Sequence, residues 1–262
     1  MRFDIITLFP ELFAPFFVCG VTRRAYESGL VDARLWNPRD FADGNYRRVD
    51  DRPYGGGPGM VMMGEPLVRC LDAIQTDRMS SCGVRAPVVL FSPVGQTLTH
   101  LSVQTWSGST GAVLVCGRYE GLDQRFIDRY VDHQISLGDF VLSGGEIAAM
   151  VLLDSIARLQ PGVLNAEGSH QFDSFNPALD GLLDCPHYTR PEVWGDDVVP
   201  PVLTSGNHKQ IQQWRRERSL QLTALQRPDL LERARTQGKL SRHDEVFLQN
   251  YPSDSTVVGK LL

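Results

Sequence analysis

The sequence predicts an α/β domain with a mainly parallel sheet, followed by a small all-helical domain. Three observations predict it. Apolar runs at 87–91 and 112–116, and a weaker one at 131–135, alternate with helical stretches. Each run leads into a loop of glycine and small residues. Beyond residue 201 only helical patterns are read.

The elements follow in order. Residues 3–9 read as a buried strand, 15–28 as a helix with Gly29 behind it, and 31–36 as an alternating strand. Residues 37–59 are polar and turn-rich, too long for a plain connector and so expected to be functional. A helical pattern covers 64–76, and the strand–helix alternation runs from 87 to 158. Its last helix, 145–158, is strongly apolar and predicted buried. Residues 159–184 then turn polar, with Gly162, Gly168, Pro177 and Gly181, as an interdomain linker would. Ser205 is positioned to cap a helix reaching about residue 226, Trp214 and Ile211 are read as core packing, and two short helices follow Arg227-Pro228-Asp229. Residues 251–262 read as a poorly ordered tail. The expected division is thus 1–160, a linker at 161–184, and 185–262.

Composition narrows the class. Hydrophobic residues are 42% and charged residues 22%, ordinary for a soluble globular chain. The longest apolar run, 147–153, is too short to cross a bilayer. Met1-Arg2-Phe3-Asp4 puts an acid where a signal peptide carries its apolar core. Five dispersed cysteines without a C-x-x-C pair predict reduced thiols and a cytoplasmic protein with no thiolate zinc site. The net charge is −5, yet residues 200–245 carry nine bases against five acids, leaving that segment at +4 and the rest at −9. Such asymmetry points to nucleic-acid contact or to a solvated helix face.

The chemistry is concentrated in loops. They read Ser92-Pro93-Val94-Gly95, Gly117-Arg118-Tyr119-Glu120-Gly121, and the stretch from Ser136-Leu137-Gly138 through Phe140 and Leu142 to Gly144-Gly145-Glu146. Three glycine loops on one sheet edge would form a ligand crevice at the carboxyl ends of the strands. Arg118 is suited to a phosphate and Tyr119 to stacking on a base. Glu120 would hold a metal or orient a neighbour. The alternative is a capped helix start with a surface ion pair. Gly55-Gly56-Gly57-Pro58-Gly59 is no phosphate loop, since Lys-Ser/Thr does not follow, and it stands beside Asp50, Asp51 and Arg52. Asp173 and Asp184 are either solvated linker acids or a general base on a closing loop. Arg158 either reaches solvent from its buried helix or faces the crevice to stabilise a developing oxyanion. His170, His187 and His208 lack zinc-ligand spacing.

Taken together, these residues resemble the bacterial tRNA (guanine-N1)-methyltransferase family (TrmD) of the SPOUT class. The likeness runs over nearly the whole chain. It includes Phe3-Asp4-Ile5-Ile6-Thr7-Leu8-Phe9-Pro10, Asp51-Arg52-Pro53-Tyr54-Gly55-Gly56-Gly57-Pro58-Gly59-Met60, Leu182-Leu183-Asp184-Cys185-Pro186-His187-Tyr188-Thr189-Arg190-Pro191 and Ser205-Gly206-Asn207-His208. The resemblance implies a SPOUT-type sheet with a deep trefoil knot, a feature no periodicity reveals. It implies that the three loops hold S-adenosylmethionine through Ser92, Pro93, Gly95, Gly117, Leu137, Gly138, Phe140, Leu142, Gly144 and Gly145. Phe140 stands where members often carry tyrosine, and Val94 where glutamine is common.

The implied reaction methylates N1 of the guanine 3′ of the anticodon, position 37. Asp173 matches the general base, Arg158 the group that stabilises charge on O6, and Glu120 a carboxylate tied to Mg²⁺ dependence. A homodimer with its active site at the subunit interface is also implied, with the 161–184 linker and the 185–262 domain clamping tRNA. Lys209, Arg215, Arg216 and Arg218 are the expected RNA contacts there, beside Arg118 and Tyr119 in the loop. The alternatives are another knotted RNA methyltransferase, a non-catalytic RNA-binding protein and a nucleotide hydrolase.

Overall fold

A computed structural model describes residues 1–164 and 169–250. The tail at 251–262 and Gly168 lie outside the described residues. The chain divides into two compact units, Met1–Glu167 and Gly168–Leu262.

The first unit begins with β1 (Arg2–Ile6), a 3-10 turn (Pro10–Phe13), α1 (Ala14–Val18), α2 (Arg23–Glu27) and β2 (Asp32–Trp36). The single helix expected over 15–28 is therefore two. Gly20 between them sits at φ +73°, a left-handed conformation that ends a helix. β3 (Asp50–Asp51) and β4 (Val61–Met62) pair antiparallel, so the glycine-rich segment becomes the loop between them. α3 (Gly64–Cys82) runs past its expected end and stops at Gly83, φ +71°. Then come β5 (Val88–Thr97), α4 (His100–Ser107), β6 (Gly111–Val115), α5 (Gln124–Tyr130), β7 (His133–Ser136) and α6 (Glu146–Ala157).

The five longer strands form one parallel sheet in the order β2-β1-β6-β5-β7. Its central strands β1 and β6 are buried on both faces, as the interior of a parallel sheet requires. Phe3, Ile5, Ala112 and Leu114 face the cluster that includes α6, while Ile6, Val113 and Val115 face the one built on α3 and α5. This period of two assigns the apolar residues of the central strands to one of two cores.

A charged cluster lies within this apolar frame. Asp4 is fully buried and accepts from Arg2 Nη2 at 2.7 Å, Arg78 Nη1 at 2.6 Å and Trp36 Nε1 at 2.9 Å. Its carboxylate thereby joins β1 and β2 to α3.

In the second unit, 3-10 turns at Ser169–Phe172 and Pro177–Leu179 lead to a hairpin of β8 (Val193–Trp194) and β9 (Asp197–Val198). The expected all-helical character is thus corrected: Gly195 at φ +63° lets the chain reverse into two short strands. Helices follow as α7 (Pro201–Thr204), α8 (His208–Gln226), α9 (Pro228–Thr236) and α10 (Arg242–Asn250). Asn207, not Ser205, caps α8, accepting from Gln210 N–H at 3.3 Å. Leu182 is fully buried against Leu220, Leu231 and Ala234. Trp214 is not in that core; it meets Tyr188 edge-on at 6.1 Å. Among the described residues no helix is long and apolar enough to cross a membrane.

Replacing Asp4 with alanine should cost about 3–5 kcal/mol, because it strands Arg78 in the interior without its counter-charge. Urea denaturation of Asp4→Ala measures this, and a loss within ~0.5 kcal/mol, as at an ordinary surface site, would show that the cluster is not a stabilising tie.

Candidate active site

The carboxyl ends of β6, β5 and β7 lie side by side in the sheet, so their loops meet on one edge. The first loop does not follow its strand but interrupts it. The β5–β7 register shifts between Phe91 and Gln96, so residues 92–95 bulge out before pairing resumes at Gln96. Gly95 closes the bulge, since a Cβ there would stand 2.5 Å from the Gln134 carbonyl carbon and Ile135 N.

A cavity of about 250 Å³ opens between the three loops. It lies just under the usual range for small-ligand sites, roughly 300–1,000 Å³. Ser92, Pro93, Gly117, Leu137, Gly138, Phe140, Leu142, Gly144 and Gly145 line it, with Arg118, Tyr119 and Glu120. Gly95 instead lines a neighbouring hollow of about 320 Å³ with Trp106 and His133. The walls are apolar at Leu90, Leu122, Ile127, Ile135 and Ala148, and Ser92, Glu120, Ser136 and Ser143 add polar side chains to the glycine backbone. Gly138 at φ +140° and Gly121 at φ +141° hold conformations that other residues rarely adopt.

The Gly117–Gly121 loop is held from two sides. Glu120 N–H donates to Met60 O at 3.0 Å, and Met62 N–H donates to Gly121 O at 2.8 Å. The glycine-rich β3–β4 loop thus lies against this turn, and a Cβ on Gly59 would overlap the Glu120 side chain. On the other side, Gly145 N–H donates to Gly117 O at 3.0 Å. Gly145 begins α6 so close to β6 that a Cβ would sit 2.7 Å from Cys116 Cα. Burial first, then the nearby Glu146 carboxylate, pushes the Cys116 thiol well above its usual range, so it stays protonated and inert.

Arg118 is not turned toward the outside. Its Nε lies 3.1 Å from Glu146 Oε1 and 3.0 Å from Oε2, and its Nη1 donates to Ser143 O at 3.2 Å. Its guanidinium also lies 4.5 Å above the Phe9 ring centre. Tyr119 is half-exposed at φ +62°. Sequence reading passed over the partner of Arg118. The signal was a carboxylate, Glu146, heading a helix whose next seven residues are all apolar.

The remaining expected residues are not in the lining of this cavity. Arg158 is the half-buried C-cap of α6 and is not among the cavity's lining residues. Asp173 belongs to the second unit, half-buried after the first 3-10 turn. In that unit, Lys209 and Arg215 are exposed on α8. Arg216 is engaged by Asp180 and Asp244, each at 2.9 Å, and Arg218 lies 5.9 Å from the Phe247 ring centre. Asp184, Cys185 and His187 bring one possible ligand atom each within 4.8 Å of one another. Hydrogen bonds account for much of that grouping: His187 Nε2 is 2.9 Å from Asp184 Oδ2, and Cys185 N–H donates to Asp184 Oδ1 at 2.7 Å. Burial and the adjacent Asp184 carboxylate raise the Cys185 thiol's pKa, which keeps it a poor metal ligand.

The family described as tRNA (Guanine-1)-methyltransferase TrmD matches residues 1–233 of this chain. The chain belongs to this family. It is 70% identical over 248 residues to the tRNA (guanine-N(1)-)-methyltransferase of Polaromonas sp. strain JS666, covering 95% of this chain and 96% of that protein. It is 71% identical to the protein of that name from Albidiferax ferrireducens, over 95% of this chain and 98% of the relative. The namesake from Bordetella parapertussis is 56% identical, over 95% and 96%. The TrmD match spans all three glycine loops, Arg158 and Asp173.

Gly145→Ala should lower stability by about 1–3 kcal/mol, because the added methyl meets backbone rather than a side chain that can turn away. Its φ of −78° is one that alanine accepts, so the loss would report packing alone. Chemical denaturation checks it; an unchanged midpoint would mean that α6 can slide off β6 without cost.

Proposed function

We propose that this chain transfers a methyl group to N1 of the guanine immediately 3′ of the anticodon in tRNA, position 37. The observation that carries the reading is the cavity at the carboxyl ends of β5, β6 and β7, lined by nine of the ten residues expected at the cofactor. Apolar walls suit the faces of an adenine, and the half-buried glycine backbone of the loops suits its polar edges and the ribose. S-adenosylmethionine fits this donor set, and when bound it supplies a methyl carried on a sulfonium.

The chain's own residues then prepare the nucleophile. Guanine N1 carries a proton and has no lone pair to offer until the proton leaves. Asp173, an acceptor when ionised, takes that proton. Negative charge spreads onto the purine O6, and the Arg158 guanidinium stabilises it without being able to lose its own proton. Tyr119 offers a ring face to a nucleotide at the cavity mouth. Glu120 is the candidate Mg²⁺ ligand, since one carboxylate with water and phosphate oxygens suits that ion.

The resemblance supplies the larger frame of this proposal. Residues 1–160 would form the trefoil-knotted SPOUT domain, 161–184 a linker, and 185–262 the tRNA-binding domain. Lys209 and Arg215 would meet phosphates, with Arg216 and Arg218 beside them. The working form would be a homodimer with its active site at the subunit interface, in the cytoplasm where tRNA is.

The test is methyl transfer from labelled S-adenosylmethionine to an unmodified tRNA transcript. Transfer should require guanine at position 37 and stop when it is adenine. Asp173→Ala should slow it by about 10²–10⁴, the usual worth of a general base. Arg158→Ala should slow it by about 10²–10³. Transfer undiminished in Asp173→Ala would remove the base assignment. No transfer by the intact chain, despite cofactor binding, would remove the tRNA reading.

A further inference from the structure

We infer that Glu146 is a positioning residue for the cofactor cavity, acting through Arg118. This deepens the proposed function and rests on it.

The Gly117–Gly121 loop has to present Tyr119 and Glu120 while keeping a left-handed residue, Tyr119 at φ +62°. A non-glycine residue in that region is strained and persists only where the surroundings fix it. Backbone bonds to residues 60–62 fix the loop's far end, at Glu120 and Gly121. The near end is held by the Gly145 N–H to Gly117 O bond at 3.0 Å and by the Arg118 N–H against Met62 Sδ at 3.3 Å, and the Arg118 side chain adds an ionic anchor. Glu146 is 1% exposed and Arg118 19% exposed, so their ion pair is shielded from water and short enough to be directional. Thr7, just after β1, donates to Glu146 Oε1 at 3.0 Å, which sets the carboxylate's rotation. Arg118 in turn donates to Ser143 O at 3.2 Å, which draws in the third glycine loop. One carboxylate therefore ties β1, the second loop and the third loop together around the cavity that Arg118, Ser143, Gly144 and Gly145 line.

Space around the pair is equally specific. A Cβ on Gly144 would overlap both Arg118 Nε and Glu146 Oε2. The missing side chain at Gly144 leaves room for the ion pair. A buried ion pair is a weak source of net stability, because desolvation offsets its attraction. That separates the two roles Glu146 can have. A stabilising pair would be dispensable once both charges are removed together, whereas a positioning pair would not.

The measurement is titration calorimetry of S-adenosylmethionine on the full chain, with unfolding curves for each variant. Glu146→Gln should weaken binding by about tenfold to a hundredfold, the usual reach of a misplacement near 1 Å. The double variant Arg118→Gln with Glu146→Gln should recover the stability lost in Glu146→Gln while its cofactor affinity stays low. The salt dependence of tRNA binding should not change in the double variant, because Arg118 is spent inside the protein; a phosphate contact would reduce that slope by about one. Should the double variant not fold, Thr7→Val, which removes one hydrogen bond to the carboxylate, should still weaken the cofactor measurably. Wild-type affinity in folded Glu146→Gln or in the double variant overturns the inference and leaves the proposed function standing. Failure of the wild type itself to bind S-adenosylmethionine overturns both.

Discussion

Helix α6 can start against the end of β6 only because Gly145 has no side chain. A Cβ would meet Cys116 Cα at 2.7 Å, and in its place the Gly145 N–H reaches Gly117 O at 3.0 Å. From that contact the rest of the site follows. The third loop is brought beside the second, Glu146 enters the interior at the first turn of α6, and Arg118 turns inward to meet it. Ser143, Gly144 and Gly145 come to line the same hollow as Gly117. The cavity is the space left when two loops are tied this tightly and a third bulges out of β5.

Two kinds of interaction divide the labour in the first unit. Apolar alternation assigns the apolar residues of the central strands to one of two cores and so holds the sheet between its helices. Buried charge fixes registers that apolar contact leaves soft. Asp4, midway along β1, joins β1 and β2 to α3, and Glu146 joins Thr7, just after β1, to the loops. Both carboxylates are almost fully buried, so each depends on its guanidinium partners.

Much of this was legible in the sequence. β-branched runs followed by glycine marked β5 and β6, and the apolar stretch after Gly145 marked α6, because burial and backbone freedom leave local traces. The break between α1 and α2 at Gly20 was also written locally but was read as a continuous helix. Other features had no local trace. The bulge in β5 depends on pairing with β7, more than 35 residues on. The Arg118–Glu146 pair joins residues 28 apart, and Arg118 alone looks like a phosphate ligand. The β8–β9 hairpin escaped notice because two-residue strands carry too few side chains to show alternation. Asn207 lies within the Ser205-Gly206-Asn207-His208 run that carries the resemblance, yet its capping role appears only where α8 begins.

Arg216, an expected RNA contact, is also held by ion pairs within its own unit. It bridges Asp180, at the end of the second 3-10 turn, and Asp244, in α10. Burial alone would raise the Asp244 carboxyl's pKa, but Arg216 and Ser241 together hold it below the usual carboxylate range. The turn that carries Asp180 begins at Asn176, whose own N–H donates to Asp173 O at 3.2 Å. The last helix among the described residues is in this way connected, through one guanidinium, to the backbone that bears the candidate base. A chain cut short before α10 would lose more than its end, because the damage would travel back some seventy residues to the segment around Asp173.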